Sequence, residues 1–206
     1  RVDTLQELFT AAETLARFGG NNDEQLLLMT NGGGAGVMAA DAAAALGVSL
    51  PELSPALLDK LDGLLPPNWS RANPIDIIGD APAQRYTDTL AALLAEPGAV
   101  LFMHAPTAIQ PSAEIARACA PLVSAAPGRV MSCWLGAAAV AEARSIFETA
   151  GAANYATPEE AVQAFAMRAT YRHNQAQLLE APSASQMRPP ERDVARSVVS
   201  AALAAG

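Results

Sequence analysis

The chain has 206 residues, 51% of them apolar, which suits one domain with a sizeable core, or one domain plus an appendage. Its formal net charge of −8 and isoelectric point of about 4.7 exclude an electrostatic hold on nucleic acid or on an anionic membrane. No stretch approaches the roughly 20 consecutive apolar residues of a transmembrane helix, no signal peptide is visible, and two cysteines, Cys119 and Cys133, make no disulfide framework, so a reducing cytoplasm is the expected compartment.

In chain order, Asp3 with Gln6 three residues on forms a weak capping-box pattern, and Leu5, Leu8, Phe9, Ala12 and Leu15 follow at helical spacing. Gly19, Gly20, Asn21 and Asn22 end that helix. Residues 25–30 (QLLLMT) read as a buried strand, and the run Asn31-Gly32-Gly33-Gly34-Ala35-Gly36 leads into a helix of small residues over 37–46. Residues 48–50 are expected to form a short second strand. Ser54 and Pro55 are good N-cap and N1 residues for a helix reaching residue 64, and Pro66 and Pro67 break the chain. Asn73-Pro74-Ile75-Asp76-Ile77-Ile78-Gly79-Asp80 is a short apolar segment opening into a turn. A helix over 82–95 precedes a third strand over 99–103.

His104 opens a Pro-containing loop, and Ser112 is expected to cap a helix to residue 123. A fourth strand over 129–133, a helix over 138–150 closed by Gly151, and a minimal fifth strand at Asn154 and Tyr155 follow. Thr157-Pro158-Glu159-Glu160 joins an N-cap Thr, a Pro at N1 and a Glu at N3, the strongest local signal in the chain, for a helix running to residue 179. Residues 181–190 read as a linker, and an amphipathic helix over 191–205 closes the chain.

Strands alternating with helices imply parallel pairing through right-handed crossovers. The expected fold is a flavodoxin-like, three-layer α/β/α domain over residues 1–180. Its five-stranded parallel sheet has the order 2-1-3-4-5, and a linker and helix follow over 181–206. In such sheets ligands bind beyond the carboxyl ends of the strands where the order reverses, here between strands one and three.

Two loops meet at that point: the glycine run and the loop that begins at His104. Glycines let the backbone approach a ligand, and the first N–H groups of the following helix point at it, so Gly32 to Gly36 can cradle a phosphoryl or carboxylate group. The run lacks the Lys-Ser/Thr ending of a P-loop and misses the G-x-G-x-x-G spacing because position 37 is Val. The alternative is a tight strand-to-helix turn with close packing and no ligand.

Thr30 through Asp41, with the glycine run at its centre, resembles the motif that opens one domain of the NDP-forming acyl-CoA synthetases. Asn73-Pro74-Ile75-Asp76, extended by Gly79-Asp80-Ala81, resembles that family's Asn-Pro-x-Asp segment. Trp134-Leu135-Gly136 and Tyr155-Ala156-Thr157-Pro158-Glu159 resemble later motifs, and their order agrees from Arg1 to about Tyr171. A more distant similarity is to the C-terminal domain of the succinyl-CoA synthetase β subunit. The resemblance implies a parent that converts acyl-CoA, NDP and phosphate to acid, CoA and NTP through a phosphohistidine, using CoA or acyl-CoA, ADP or ATP, phosphate and Mg.

It also implies that a helix N-terminus holds the phosphoryl group, a role that falls on Asn31, Gly32, Gly33, Gly34, Ala35 and Gly36. The phosphohistidine is expected upstream of Arg1, and CoA-binding and ATP-grasp domains are the expected partners. On its own the chain is therefore expected to bind none of these cofactors and to turn over no substrate. Its start at Arg1 has the look of an excised piece.

Tyr171-Arg172-His173-Asn174-Gln175-Ala176-Gln177-Leu178-Leu179, the linker, the last helix and the opening Arg1 to Phe9 resemble bacterial protein lysine acetyltransferases. These carry such domains ahead of a Gcn5-related acetyltransferase domain, so the second implied role is a non-ligating, acyl-CoA-sensing and oligomer-forming domain.

Among the remaining polar residues, Asn73 shapes the turn before Pro74, and Asp76 and Asp80 can orient the loop or a ligand, with Asp80 as a helix cap. His104 lies near the expected site but does not match the phosphohistidine motif. His173 and Asp41 read as surface residues. Cys119 and Cys133 read as core, and Trp134 as a contact for a neighbouring domain. No Cys/His cluster suggests a metal site.

Overall fold

The computed structural model describes residues 2, 4–18, 25–180 and 191–204. It divides into two units, Arg1–Tyr171 and Arg172–Gly206. Along the chain the elements are α1 (Leu5–Phe18), β1 (Leu26–Thr30), α2 (Gly33–Leu46), α3 (Pro55–Leu64), β2 (Ile75–Asp76), α4 (Ala83–Leu94), β3 (Ala99–His104), α5 (Ser112–Ala125), β4 (Val130–Trp134), α6 (Ala141–Thr149), β5 (Ala153–Tyr155), α7 (Pro158–Leu179) and α8 (Arg192–Ala204).

All strand pairs are parallel, and the sheet order is β2-β1-β3-β4-β5. Every residue of β1, β3 and β4 is buried, as expected of strands covered on both faces. Their side chains alternate between two cores. Val100, Phe102, Val130 and Trp134 face α3 to α6, whereas Leu101, Met103, Met131 and Cys133 face α2 and the start of α7. That is the three-layer arrangement expected from the sequence.

The second strand is not where the apolar pattern put it. Residues 48–50 form no strand, because Val48 N–H closes a Schellman motif on Ala43 O (2.9 Å) behind Gly47, whose φ is +67°. β2 is instead Ile75–Asp76, in register with Met29 and Thr30. Its ladder is lengthened by a side chain: Asn73 Oδ1 accepts from Leu28 N (2.9 Å) and Asn73 Nδ2 donates to Leu26 O (3.0 Å). The short apolar stretch thus supplies two strand residues and one surrogate.

Helix boundaries moved for local reasons. The α2 helix starts at Gly33, four residues earlier than the Val37 start expected. Ser112 is the first residue of α5 and does not cap it. A 3-10 turn, Ala138–Val140, precedes α6. The Asp3 and Gly19–Asn22 signals and the 181–190 linker lie outside the described residues; at the head of α1 it is Thr4 Oγ1 that accepts from Glu7 N (3.1 Å). The Thr157 cap is present as read: its Oγ1 accepts from Glu160 N (3.2 Å), and Glu160 Oε2 accepts from Ala156 N (3.1 Å).

In the second unit, the described residues of α8 are all exposed. Among the described residues, no helix is long and apolar enough to cross a membrane.

Candidate functional site at the head of the second helix

The loops leaving β1, β2 and β3 converge at the carboxyl edge of the sheet. Thr30 ends β1 with its Oγ1 accepting from Gly32 N (3.0 Å) and donating to Gly32 O (3.0 Å), a side-chain turn that fixes Gly32 in extended backbone, φ −147° and ψ 116°. Gly32 is the N-cap of α2, and its carbonyl receives Ala35 N (3.1 Å) and Gly36 N (3.4 Å). The amides of Gly33 and Gly34 remain. Both residues are exposed, and among the described residues neither amide has an acceptor. They are two of the orphan donors that every helix start leaves, at the positive end of its dipole.

The six residues of the glycine run therefore divide by task. Asn31 is buried, and its side chain is engaged by the loop after β3. Its Nδ2 donates to Ala105 O (2.9 Å) and its Oδ1 accepts from Ala105 N (2.8 Å), clamping the loop after β3 to the loop after β1. Gly32 caps, and a Cβ there would lie 3.6 Å from Ala105 Cβ. Gly33 and Gly34 present amides. Ala35 and Gly36 are the underside: a Cβ at Gly36 would meet Pro74 Cβ and Thr30 Cγ2, both at 3.2 Å, so α2 sits directly on the Asn73-Pro74 turn.

Asp76 reaches this corner as well. Its Oδ1 accepts from Ile78 N (2.9 Å), while its Oδ2 lies 3.3 Å from where a Cβ on Gly33 would be. Ile78 holds φ +69°, a strained conformation for a β-branched residue, in the loop that returns over the site. Gly79 faces the Asn31 carbonyl.

Asp80 does not cap α4. Its carboxylate pairs with Arg85 Nη1 (2.6 Å), which also donates to Ile77 O (3.0 Å), and Pro82 occupies the N-cap.

His104 is at the end of β3 but not in the site. It is fully buried, with Nδ1 hydrogen-bonded to Tyr86 Oη (2.9 Å) and Nε2 to Ser112 Oγ (3.0 Å), and with the Trp134 ring tilted against it at a centroid distance of 5.0 Å. Burial pushes its pKa down to about 4, so the ring is neutral at ordinary pH. Trp134 is likewise core, packed on Phe102, His104 and Phe147, and offers nothing to a neighbouring domain. Cys119 and Cys133 are buried thiols, each pushed up to about 12 by desolvation. Asp41 and His173 are exposed. Among the described residues, no three His, Cys, Asp or Glu side chains converge as metal ligands.

One contributor was not weighed by itself in the sequence: Thr30, which carries a readable signal, a Thr two residues ahead of a Gly. The hydrogen bonds that bury His104 between Tyr86 and Ser112 carry no local signal, since these residues come from three separate elements.

The sequence profile of the Ligase-CoA domain matches residues 26–179. The acetate–CoA ligase [ADP-forming] I of Archaeoglobus fulgidus is 31% identical over 137 residues, which is 66% of this chain and 19% of that protein. The 4-hydroxybutyrate–CoA ligase [ADP-forming] of Nitrosopumilus maritimus is 28% identical over 109 residues, 52% of this chain and 16% of that one. The chain thus spans less than a fifth of the length of these relatives.

Among solved structures, the dinucleotide-forming acetyl-coenzyme A synthetase 1 of Ca. Korarchaeum cryptofilum, in complex with phosphate and ADP, superposes with a TM-score of 0.80 at 29% identity, over 88% of this chain and 40% of that one. PH0766 of Pyrococcus horikoshii OT3 shares the fold, with a TM-score of 0.76 at 23% identity over 84% of this chain and 41% of that one.

Proposed function

The chain belongs to the Ligase-CoA domain family, and on that premise we propose that it supplies the phosphoryl cradle of an NDP-forming acyl-CoA synthetase. In this reading the Gly33 and Gly34 amides receive a phosphoryl group carried by a histidine of the parent, during conversion of acyl-CoA, NDP and phosphate to acid, CoA and NTP. The observation that carries the reading is the pair of exposed, acceptor-free amides at the head of α2, at the topological switch point of the sheet.

The histidine inventory supports the division of labour. The chain has two histidines. His104 is sealed between Tyr86 and Ser112, and His173 is an exposed residue of α7. In this reading the phosphorylated group comes from elsewhere in the parent, as do the CoA-binding and nucleotide-binding parts, and the chain alone turns over no substrate.

The test is made in the full-length parent, with acetyl-CoA, ADP and phosphate, reading ATP and acid-labile phosphohistidine. A Cβ at Gly34 meets nothing within 4 Å, so Gly34→Val is expected to be accommodated by the fold, and its branched side chain to hinder a ligand's approach to the amides. It is expected to lower phosphoryl transfer at least tenfold with an unchanged melting temperature. Normal transfer in that variant would remove the cradle assignment. A wild-type parent that binds acetyl-CoA but forms neither ATP nor phosphohistidine would instead favour the acyl-CoA-sensing domain of a lysine acetyltransferase.

A further inference from the structure

The turn that follows β2 lies against the backbone of the glycine run. Ile77 N donates to Thr30 O (2.8 Å), and a Cβ added at Gly79 would stand 3.5 Å from Asn31 O. Between these two contacts Ile78 takes φ +69°. A left-handed backbone crowds the Cβ of a β-branched residue against the neighbouring carbonyl, so Ile78 leaves this conformation unless something else holds it there.

Three restraints hold it. Two are local to the segment: Ile78 N donates to Asp76 Oδ1 (2.9 Å), and Ala81 N donates to Ile78 O (3.1 Å). The third comes from the first turn of α4. Arg85 Nη1 donates to Ile77 O (3.0 Å) and to Asp80 Oδ1 (2.6 Å), so the two hydrogens of one nitrogen bridge the residue before Ile78 and the second residue after it. The Arg85 side chain is 19% exposed and that of Asp80 64%, and an ion pair so open to water holds little by itself. The bond to the carbonyl of Ile77, a fully buried residue, is charge-assisted and fixes the guanidinium where Asp80 comes to meet it. Arg85 is itself anchored, on a helix whose next residue, Tyr86, is buried in the core.

We propose that Arg85 is a positioning residue of the phosphoryl cradle, a role that rests on the cradle reading given above. It keeps the turn over residues 77–80 in its left-handed form. Through the Ile78 N–H it keeps the Asp76 carboxylate, whose Oδ2 lies 3.3 Å from where a Cβ on Gly33 would be, beside the head of α2. Arg85 acts through Ile78 and Asp76 and makes no contact with the transferred group. When Arg85 is lost, Ile78 relaxes to negative φ, the peptide units on either side of it turn, and Asp76 and Gly79 leave their places against the glycine run.

The experiment is a double-mutant cycle in the full-length parent, supplied with acetyl-CoA, ADP and phosphate and read as phosphohistidine turnover and ATP. Arg85→Met keeps the apolar stem and removes the donors. It is expected to lower kcat about tenfold and to leave the KM for ADP unchanged, since only the geometry at the cradle is altered. Ile78→Gly removes the penalty of a positive φ. In that background the loss of Arg85 is expected to cost less than about threefold, because glycine keeps the turn without being held. An Arg85 that bound the ligand directly, or that only supported the fold, would be missed as much with glycine at position 78 as with isoleucine. Melting temperatures are read for every variant, and rates are compared where each is folded. Normal transfer in Arg85→Met overturns the proposal, as does an equal loss in both backgrounds. Gly34→Val, assayed beside them, separates this role from the reading beneath it. A slow Gly34→Val with a normal Arg85→Met removes Arg85 and leaves the cradle, whereas normal transfer in Gly34→Val removes both.

Discussion

Acidification is the most direct probe of how the loop after β3 is held. His104 is the last residue of that strand and fully buried, and its pKa is pushed down to about 4 by desolvation, against about 6.5 for an exposed histidine. Between those two values the unfolded chain binds a proton that the folded chain refuses. Stability from this residue is therefore complete above about pH 6.5 and declines as the pH falls toward about 4. The separation of the two pKa values corresponds to about 3 kcal/mol over the window, a large share of the 5–15 kcal/mol typical of a domain.

The assay is urea unfolding at intervals across that window, for wild type and for His104→Gln, which keeps a polar group between Tyr86 and Ser112 but cannot titrate. The carboxylates contribute equally to both proteins, so the difference between the two curves isolates the histidine. Wild type is expected to lose about 3 kcal/mol more than the variant on going down the window. Parallel curves would refute the reasoning, as would an imidazole resonance of His104 titrating near 6.5 in the intact fold.

The other expectations concern the loop architecture. Asn73→Ala leaves Leu28 N and Leu26 O without their side-chain partner on the sheet edge and is expected to cost about 1–2 kcal/mol in urea unfolding. Gly36→Ala puts a Cβ 3.2 Å from both Pro74 Cβ and Thr30 Cγ2, and a loss of about 1–2 kcal/mol by thermal unfolding would show that α2 cannot shift to make room. Asp76→Asn removes a negative charge beside the orphan amides while keeping an Oδ1 for Ile78 N. Inorganic phosphate titrated against the Gly33 and Gly34 amide resonances is expected to bind several-fold tighter in the variant, and equal affinities would place Asp76 outside the field of the ligand.

The fold was legible where one physical cause dominated. Residues 26–30, 99–104 and 130–134 are buried on both faces, so their short apolar runs, broken within only by Ser132, read as interior strands. Thr157-Pro158-Glu159-Glu160 combines three independent start signals, and the helix starts there. β2 was illegible because it is two residues long and depends on Asn73, whose amide does the work of a backbone neighbour for Leu26 and Leu28. A strand completed by a side chain leaves no periodicity.

The candidate site was legible as a run of glycines but not as a set of tasks. An Asn before a Gly reads as a turn residue, and nothing local says that Asn31 clamps Ala105, which is 74 residues away. His104 was attractive by position alone. Its environment, drawn from α4, α5 and β4, is what removes it from the chemistry.

The sign of the charges at the head of α2 narrows what the two free amides can receive. The helix dipole and the amides favour an anion, yet the Asp76 carboxylate stands beside Gly33. A bare phosphate dianion gains from the amides and loses to the carboxylate, so the corner is a poor store for free phosphate. A phosphoryl group borne on an imidazole differs in one respect: when the ring is protonated its second nitrogen carries an N–H, and a carboxylate favours that cation and can accept from it while the amides hold the oxygens. The same carboxylate that repels the free ion then favours the carried one. On this reasoning Asp76 sets the preference of the proposed cradle for a group delivered on a side chain over one arriving from solution. Transfer from phosphohistidine in the parent should accordingly slow in Asp76→Asn even as inorganic phosphate binds more tightly, and a variant in which both improve together would break the link between the carboxylate and the carrier.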